Sequence, residues 1–139
     1  MPSTMRGFAK NLTQLTKGLE NQLGRFVEEV GERVHGALVL GTPVKTGNAR
    51  SNWLVGVGSA KSGIVPIRSE VETIAAGSAA IRGRVKGDTE IIITNDVDYL
   101  PLLNDGSSRQ APAGFVEKAA MVGVRVAVSF RLKMGGGIW

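Results

Sequence analysis

From Phe8 to Leu38 the apolar residues fall at Phe8, Leu12, Leu15, Leu19, Leu23, Phe26, Val27, Val30, Val34, Ala37 and Leu38, spaced by three or four almost without exception. That spacing predicts an amphipathic helix, and Lys10, Lys17, Glu20, Arg25, Glu28, Glu29, Glu32 and Arg33 lie mostly off the stripe. Gly41 followed by Pro43 supplies the stop. A helix of about 30 residues is about 45 Å long at 1.5 Å per residue, longer than a small domain is wide. Part of it is expected to project and pack on another chain.

After a glycine-containing loop from Gly41 to Arg50, the positions Trp53, Val55 and Val57 alternate with Leu54, Gly56 and Gly58. This predicts a strand, with Trp53 in the core. A segment punctuated by glycine and serine then loops out. Ile67, Val71, Ile74, Ala75, Ile81 and Val85 return to helical spacing, with Pro66 suited to the helix start and Gly77, Ser78 and Gly83 weakening the stripe. Glu90 to Thr94 holds three consecutive isoleucines and predicts a strand buried on both faces or inside a sheet. Asn95 to Ala113 is rich in turn formers and reads as an ordered loop. A last helix is expected from about Ala113 to Lys133, with Pro112 before it, Glu117 in its first turn, Arg131 and Lys133 in its last, and Gly135 beyond. The expected architecture is α+β: a long N-terminal helix and a C-terminal helix packed on a small, mainly antiparallel sheet. Residues 1–134 are expected to form a single domain and residues 135–139 a flexible glycine-rich tail ending in Trp139.

Composition narrows the chemistry. The 139 residues suit one compact domain, and the absence of cysteine removes disulfides, thiolate metal sites and cysteine nucleophiles. Glycine occupies 19 positions, about twice the usual share of roughly 7%. No stretch reaches the roughly 18 apolar residues of a membrane span, and Met1 to Phe8 has no apolar run of signal-peptide type, so a soluble, intracellular protein is expected. The net charge of +5 is spread over singly spaced Lys and Arg, not gathered into a nucleic-acid or membrane patch.

The familiar catalytic and ligand motifs fail on their spacing. Gly56 to Ser62 follows a strand, but a phosphate-binding loop aligned on Lys61 and Ser62 needs glycine where Val55 and Ala60 stand. A calcium loop counted from Asp96 needs an acidic residue or asparagine and then glycine where Leu100 and Pro101 stand. His35, the only histidine, has no nucleophile-elbow serine to serve and is expected on the surface near the end of the first helix. No cofactor, metal or catalytic residue is expected, and the chain does not read as an enzyme.

Two blocks carry a resemblance. Thr42, Pro43, Val44, Lys45, Thr46, Gly47, Asn48, Ala49, Arg50, Ser51, Asn52 and Trp53 resemble the Thr-Pro-Val-x-Thr-Gly-x-x-Arg-x-x-Trp segment of a family of tailed-bacteriophage neck and minor tail proteins. Ile93, Thr94, Asn95, Asp96, Val97, Asp98 and Tyr99, followed by Leu103, Gly106, Ser107, Ser108, Gln110, Ala111, Pro112, Ala113, Gly114 and Phe115, resemble its second block. Spacing and order agree over most of residues 10–133, although Asn104 and Asp105 precede Gly106 where the family commonly has a glutamate.

The resemblance implies a non-enzymatic virion protein at the head-tail junction, made in the host bacterial cytoplasm. Such proteins typically act as rings of identical subunits between the head connector or stopper and the tail tube, and six-fold or twelve-fold symmetry is expected here. DNA would pass nearby without specific binding. The nearest variant is a tail terminator capping the tube, and a small basic nucleic-acid-binding protein is the rival from another class. Candidate assembly residues are Thr42, Pro43, Thr46, Gly47, Arg50, Trp53, Asn95, Tyr99, Gly106, Gln110, Pro112, Gly114 and Trp139, the last as an aromatic that docks on a neighbouring subunit. Pro43 and Gly47 are expected to bracket the turn from helix to strand, and Gly106 to take positive φ.

Overall fold

A computed structural model describes residues 2–84, 90–106 and 113–133, with side chains at 9–84, 90–106, 113–123 and 125. The elements run α1 (Pro2–Gly41), α2 (Asn48–Ser51), β1 (Leu54–Val57), α3 (Glu70–Arg82), β2 (Ile91–Thr94), α4 (Leu100–Asn104) and α5 (Phe115–Lys133). The class is α+β, with long helices at both ends and a two-stranded antiparallel sheet between them.

The first helix is longer than its apolar stripe, because it begins six residues before Phe8; at 40 residues it runs about 60 Å. Among its described side chains only those of the C-terminal half are covered. There Leu38 and Val39 join Trp53, Phe115 and Ala119 in the buried core, with Val34, Ala37, Ile74, Ile93, Leu100, Leu103 and Val116 packed around them. Glycines set the helix spacing at two crossings. A Cβ on Gly31 would lie 2.9 Å from Ile91 and 3.2 Å from Ile81, and one on Gly123 would lie 2.9 Å from Val34. The absent methyl groups let β2, α3 and α5 close onto α1 at native packing density.

Leu54 pairs with Thr94, Val55 with Ile93, Gly56 with Ile92 and Val57 with Ile91. β1 is the buried strand of the pair. The four residues of β2 are only half-buried, which corrects the expectation of a strand covered on both faces. The isoleucine run lies in a sheet of two strands, and among the described residues no further strand covers it.

The middle helix starts later than Pro66 implies. Ser69 caps it, accepting a hydrogen bond from the Glu72 amide at 3.0 Å. Its buried positions are Thr73, Gly77 and Ile81, whereas Val71 is exposed. Of the predicted stripe, Ile81 is buried and Ile74 packs against the core, whereas Ile67 and Val71 before and at the helix start are exposed. Short helices α2 and α4 occupy segments read as loop from Gly41 to Arg50 and from Asn95 to Ala113. Lacking an amphipathic repeat, they are too short to show in periodicity.

Candidate assembly site

The first block is a hydrogen-bonded knot on the end of α1. The Thr42 hydroxyl donates to the Leu38 carbonyl at 2.5 Å and accepts the indole N–H of Trp53 at 2.7 Å. Thr42 and Trp53, the first and last residues of the block, are thereby tied together. Gly47 sits between them at φ 89°, a left-handed conformation that favours glycine, and caps α2. Ser51 and Asn52 are fully buried. Ser51 Oγ accepts from the Arg68 amide at 3.0 Å, and Asn52 Oδ1 accepts from the Val65 amide at 2.7 Å. These two polar side chains hold the extended segment before α3 where a strand partner would otherwise be needed.

His35 completes the knot. It is buried, not on the surface as expected, with Nε2 at 2.9 Å from the Trp53 carbonyl. A carbonyl only accepts, so Nε2 carries the hydrogen. Burial pushes the imidazole pKa below its ordinary value, only partly opposed by this hydrogen bond, with the Arg68 charge lowering it further. The ring lies over Gly77 of α3, where a Cβ would run into it. Its position beside the stripe, facing α3, is what hid it.

The second block docks directly on the first. Asn95 Nδ2 donates to the Ala49 carbonyl of α2 at 2.8 Å, while its Oδ1 accepts from the Val97 amide at 3.1 Å. Asn48 Nδ2 reaches the Tyr99 hydroxyl at a longer 3.4 Å, on the exposed side. Two segments about 45 residues apart in sequence thus form one surface around α2.

Beyond the block, α4 leads to Gly106 at φ 92°, as the sequence reading expects, and Gly114 has φ 79°. Asn104 then caps α5: its Oδ1 accepts from the Val116 amide at 3.0 Å, its carbonyl accepts from the Gly114 amide at 2.7 Å, and its Nδ2 donates to the Glu117 carboxylate at 2.9 Å.

Electrostatics elsewhere tie α3 to α1. Glu32 accepts from Arg82 Nε at 2.8 Å and from Ser78 Oγ at 2.6 Å, and the Arg82 hydrogen bond holds its pKa below the ordinary value. Among the described residues no group of three or more potential metal ligands is present, and no helix is long and apolar enough to cross a membrane.

A family model described as "Bacteriophage HK97-gp10, putative tail-component" matches residues 6–106. The chain belongs to this family. The match spans most of the protein, from α1 through the first block and into the second as far as Gly106. Searches of curated proteins and of solved structures returned no match.

Within this tail-component chain, Thr42, Pro43, Gly47, Arg50, Trp53, Asn95 and Tyr99 cluster at α2, while Gly106 and Gly114 shape the turns around α4 and the start of α5. Thr46 lies exposed on the same turn, its hydroxyl 3.3 Å from the Asn48 amide. Gln110, Pro112 and Trp139 lie outside the described residues. In the sequence His35 reads as a surface residue, Asn104 stands only as a departure from the family pattern, and Ser51 and Asn52 stand in the first block without a role of their own. For Ser69 a local signal existed, the Ser-x-x-Glu capping box of Ser69 and Glu72. For His35 and Asn104 the partners are distant in sequence and left no local signal.

Proposed function

We propose that this phage tail component is a structural neck subunit that joins head to tail as part of a ring of identical copies, and that it carries no catalysis. The observation that carries this reading is the division of α1. Its C-terminal half is built into the core, whereas Leu12, Leu15, Leu19 and Leu23 continue the same apolar stripe in the open. A helix with that stripe gains stability by burying it, and a second protein surface supplies the cover. Residues 1–134 act as one assembly domain in this reading, and the surface around α2, which carries the family-like blocks, faces the head connector or the tail tube.

The test is imaging of assembled particles with this subunit located in the map. Density for it between head connector and tail tube is the expected result; its absence from purified virions refutes the reading. The terminator alternative differs in its loss phenotype. Without a neck subunit, tails of normal length accumulate unjoined to heads, whereas without a cap on the tube the tail lengths become irregular.

A further inference from the structure

We propose that neighbouring subunits meet ridge to groove: the leucine ridge on the N-terminal half of α1 lies in the apolar groove between α1 and β2 of the next copy. This rests on the ring reading above and adds which two surfaces close the ring.

The ridge is formed by Leu12, Leu15, Leu19 and Leu23, which are 49%, 61%, 47% and 51% exposed. Such a row exceeds the scattered apolar residues normal on a monomer's surface and marks an interaction site. The groove has a volume of about 310 Å³ and is lined by Phe26, Val27, Val30, Val34, Ile91 and Ile93 around Gly31. Both features are apolar, and the chain cannot join them to each other. They lie on one continuous helix, with Leu15 about 22 Å from Val30 along its axis. Their lengths agree: the ridge runs about 16 Å from Leu12 to Leu23, and the α1 wall of the groove about 12 Å from Phe26 to Val34.

Charge favours the same pairing. Around the ridge stand Lys10, Lys17 and Arg25 against Glu20 alone. Around the groove stand Glu28, Glu29, Glu32 and Glu90 against Arg33, Arg82 and Arg84, of which Arg82 pairs with Glu32 and Arg84 with Glu28, so the acidic excess there rests on Glu29 and Glu90. Docking one copy's ridge in the next copy's groove sets a basic half-helix beside an acidic one, whereas ridge on ridge sets like charges together. A contact between two different patches is head-to-tail, and repetition of it builds a ring when its rotation closes, where a ridge-on-ridge contact stops at a two-fold dimer.

The absence of cysteine makes the contact directly testable. In the Leu15→Cys/Ile91→Cys variant an intrachain disulfide is out of reach, because Ile91 packs at Gly31, about 24 Å along the helix from Leu15. Mild oxidation is expected to give a ladder of linked subunits on a non-reducing gel, with neither single variant giving more than traces. Leu19→Glu is expected to weaken assembly in native mass spectrometry at least ten-fold while leaving the circular dichroism spectrum unchanged. A wild-type ring that gives no ladder and tolerates Leu19→Glu overturns the ridge-and-groove contact and leaves the ring reading standing. Leu15→Cys alone linking efficiently into dimers overturns it in favour of ridge-on-ridge pairing. A wild-type chain that stays monomeric at all concentrations overturns both.

Discussion

His35 of α1 donates its Nε2 hydrogen to the backbone carbonyl of Trp53 at 2.9 Å, so the long helix grips the end of the Thr-Pro-Val block through a buried imidazole. Thr42 grips the indole of the same tryptophan. Trp53 is thus held at its backbone and its side chain by residues of one helix and its exit turn, which fixes where β1 begins.

The buried imidazole makes stability depend on pH. Its folded pKa lies below the unfolded value, so the unfolded chain binds the proton more readily. The stabilisation is complete above the ordinary histidine value of 6.5 and is lost progressively as pH falls below it toward the folded value. Urea midpoints measured at pH 7.5 and 5.5 should therefore drop on acidification, and His35→Gln should flatten that step. A separate loss belongs at more acid pH, below the ordinary carboxylate value of 4.5, where Glu32 gives up its contacts with Arg82 and Ser78.

Gly77→Ala places a methyl group against the His35 ring. Overpacking of this kind typically costs about 1–3 kcal/mol. In the His35→Ala background the obstruction is gone, and the same change should be neutral or favourable, since alanine exceeds glycine by about 1 kcal/mol inside a helix. A double-mutant cycle by chemical denaturation reads this coupling directly; additive effects would show that the two residues do not meet.

The two long helices and both strands were legible because each carries a local signal: the apolar period from Phe8 to Leu38, the end signals from Pro112 to Gly135, the alternation around Val55, and the isoleucine run of β2. What escaped was set by partners remote in sequence. A lone polar residue beside an apolar stripe reads as surface, and only the carbonyl of Trp53 and the gap at Gly77 make His35 a core residue. The α3 boundary is a different kind of miss. Pro66 drew the start forward, although Ser69 and Glu72 already spelled the cap. In the assembly site, Thr42 and Trp53 were legible as the ends of one block, but the bridge from Asn95 to the Ala49 carbonyl has no trace in either segment alone.

Thr42→Val keeps the shape of the side chain and removes the acceptor for the buried Trp53 indole. An unsatisfied buried donor costs about 1–3 kcal/mol, and Thr42→Ser, which retains the hydroxyl, should cost less. Trp53 fluorescence should shift with the lost hydrogen bond in Thr42→Val and stay near wild type in Thr42→Ser.

The two contacts joining the blocks differ in weight. Asn95 is half-buried and donates at 2.8 Å, whereas the Asn48 to Tyr99 contact is long and exposed. Asn95→Ala should lower stability by about 1 kcal/mol, and Tyr99→Phe should leave the denaturation midpoint nearly unchanged. If Tyr99→Phe nevertheless abolishes head-tail joining in a complementation assay, its hydroxyl serves assembly and not the fold.

Asn104 caps α5 from 12 residues away, accepting the Val116 amide while donating to Glu117. Asn104→Ala should cost about 1 kcal/mol, the usual loss on removing an N-terminal cap. Asn104→Asp is the sharper probe. It keeps an acceptor for the amide but sets a second carboxylate against Glu117, replacing an attraction with a repulsion. At pH 7 it should therefore be less stable than wild type despite aspartate's good capping record, and it should recover as the pair takes up a proton in acid. Equal stability at both pH values would show that Asn104 acts on the Val116 amide alone.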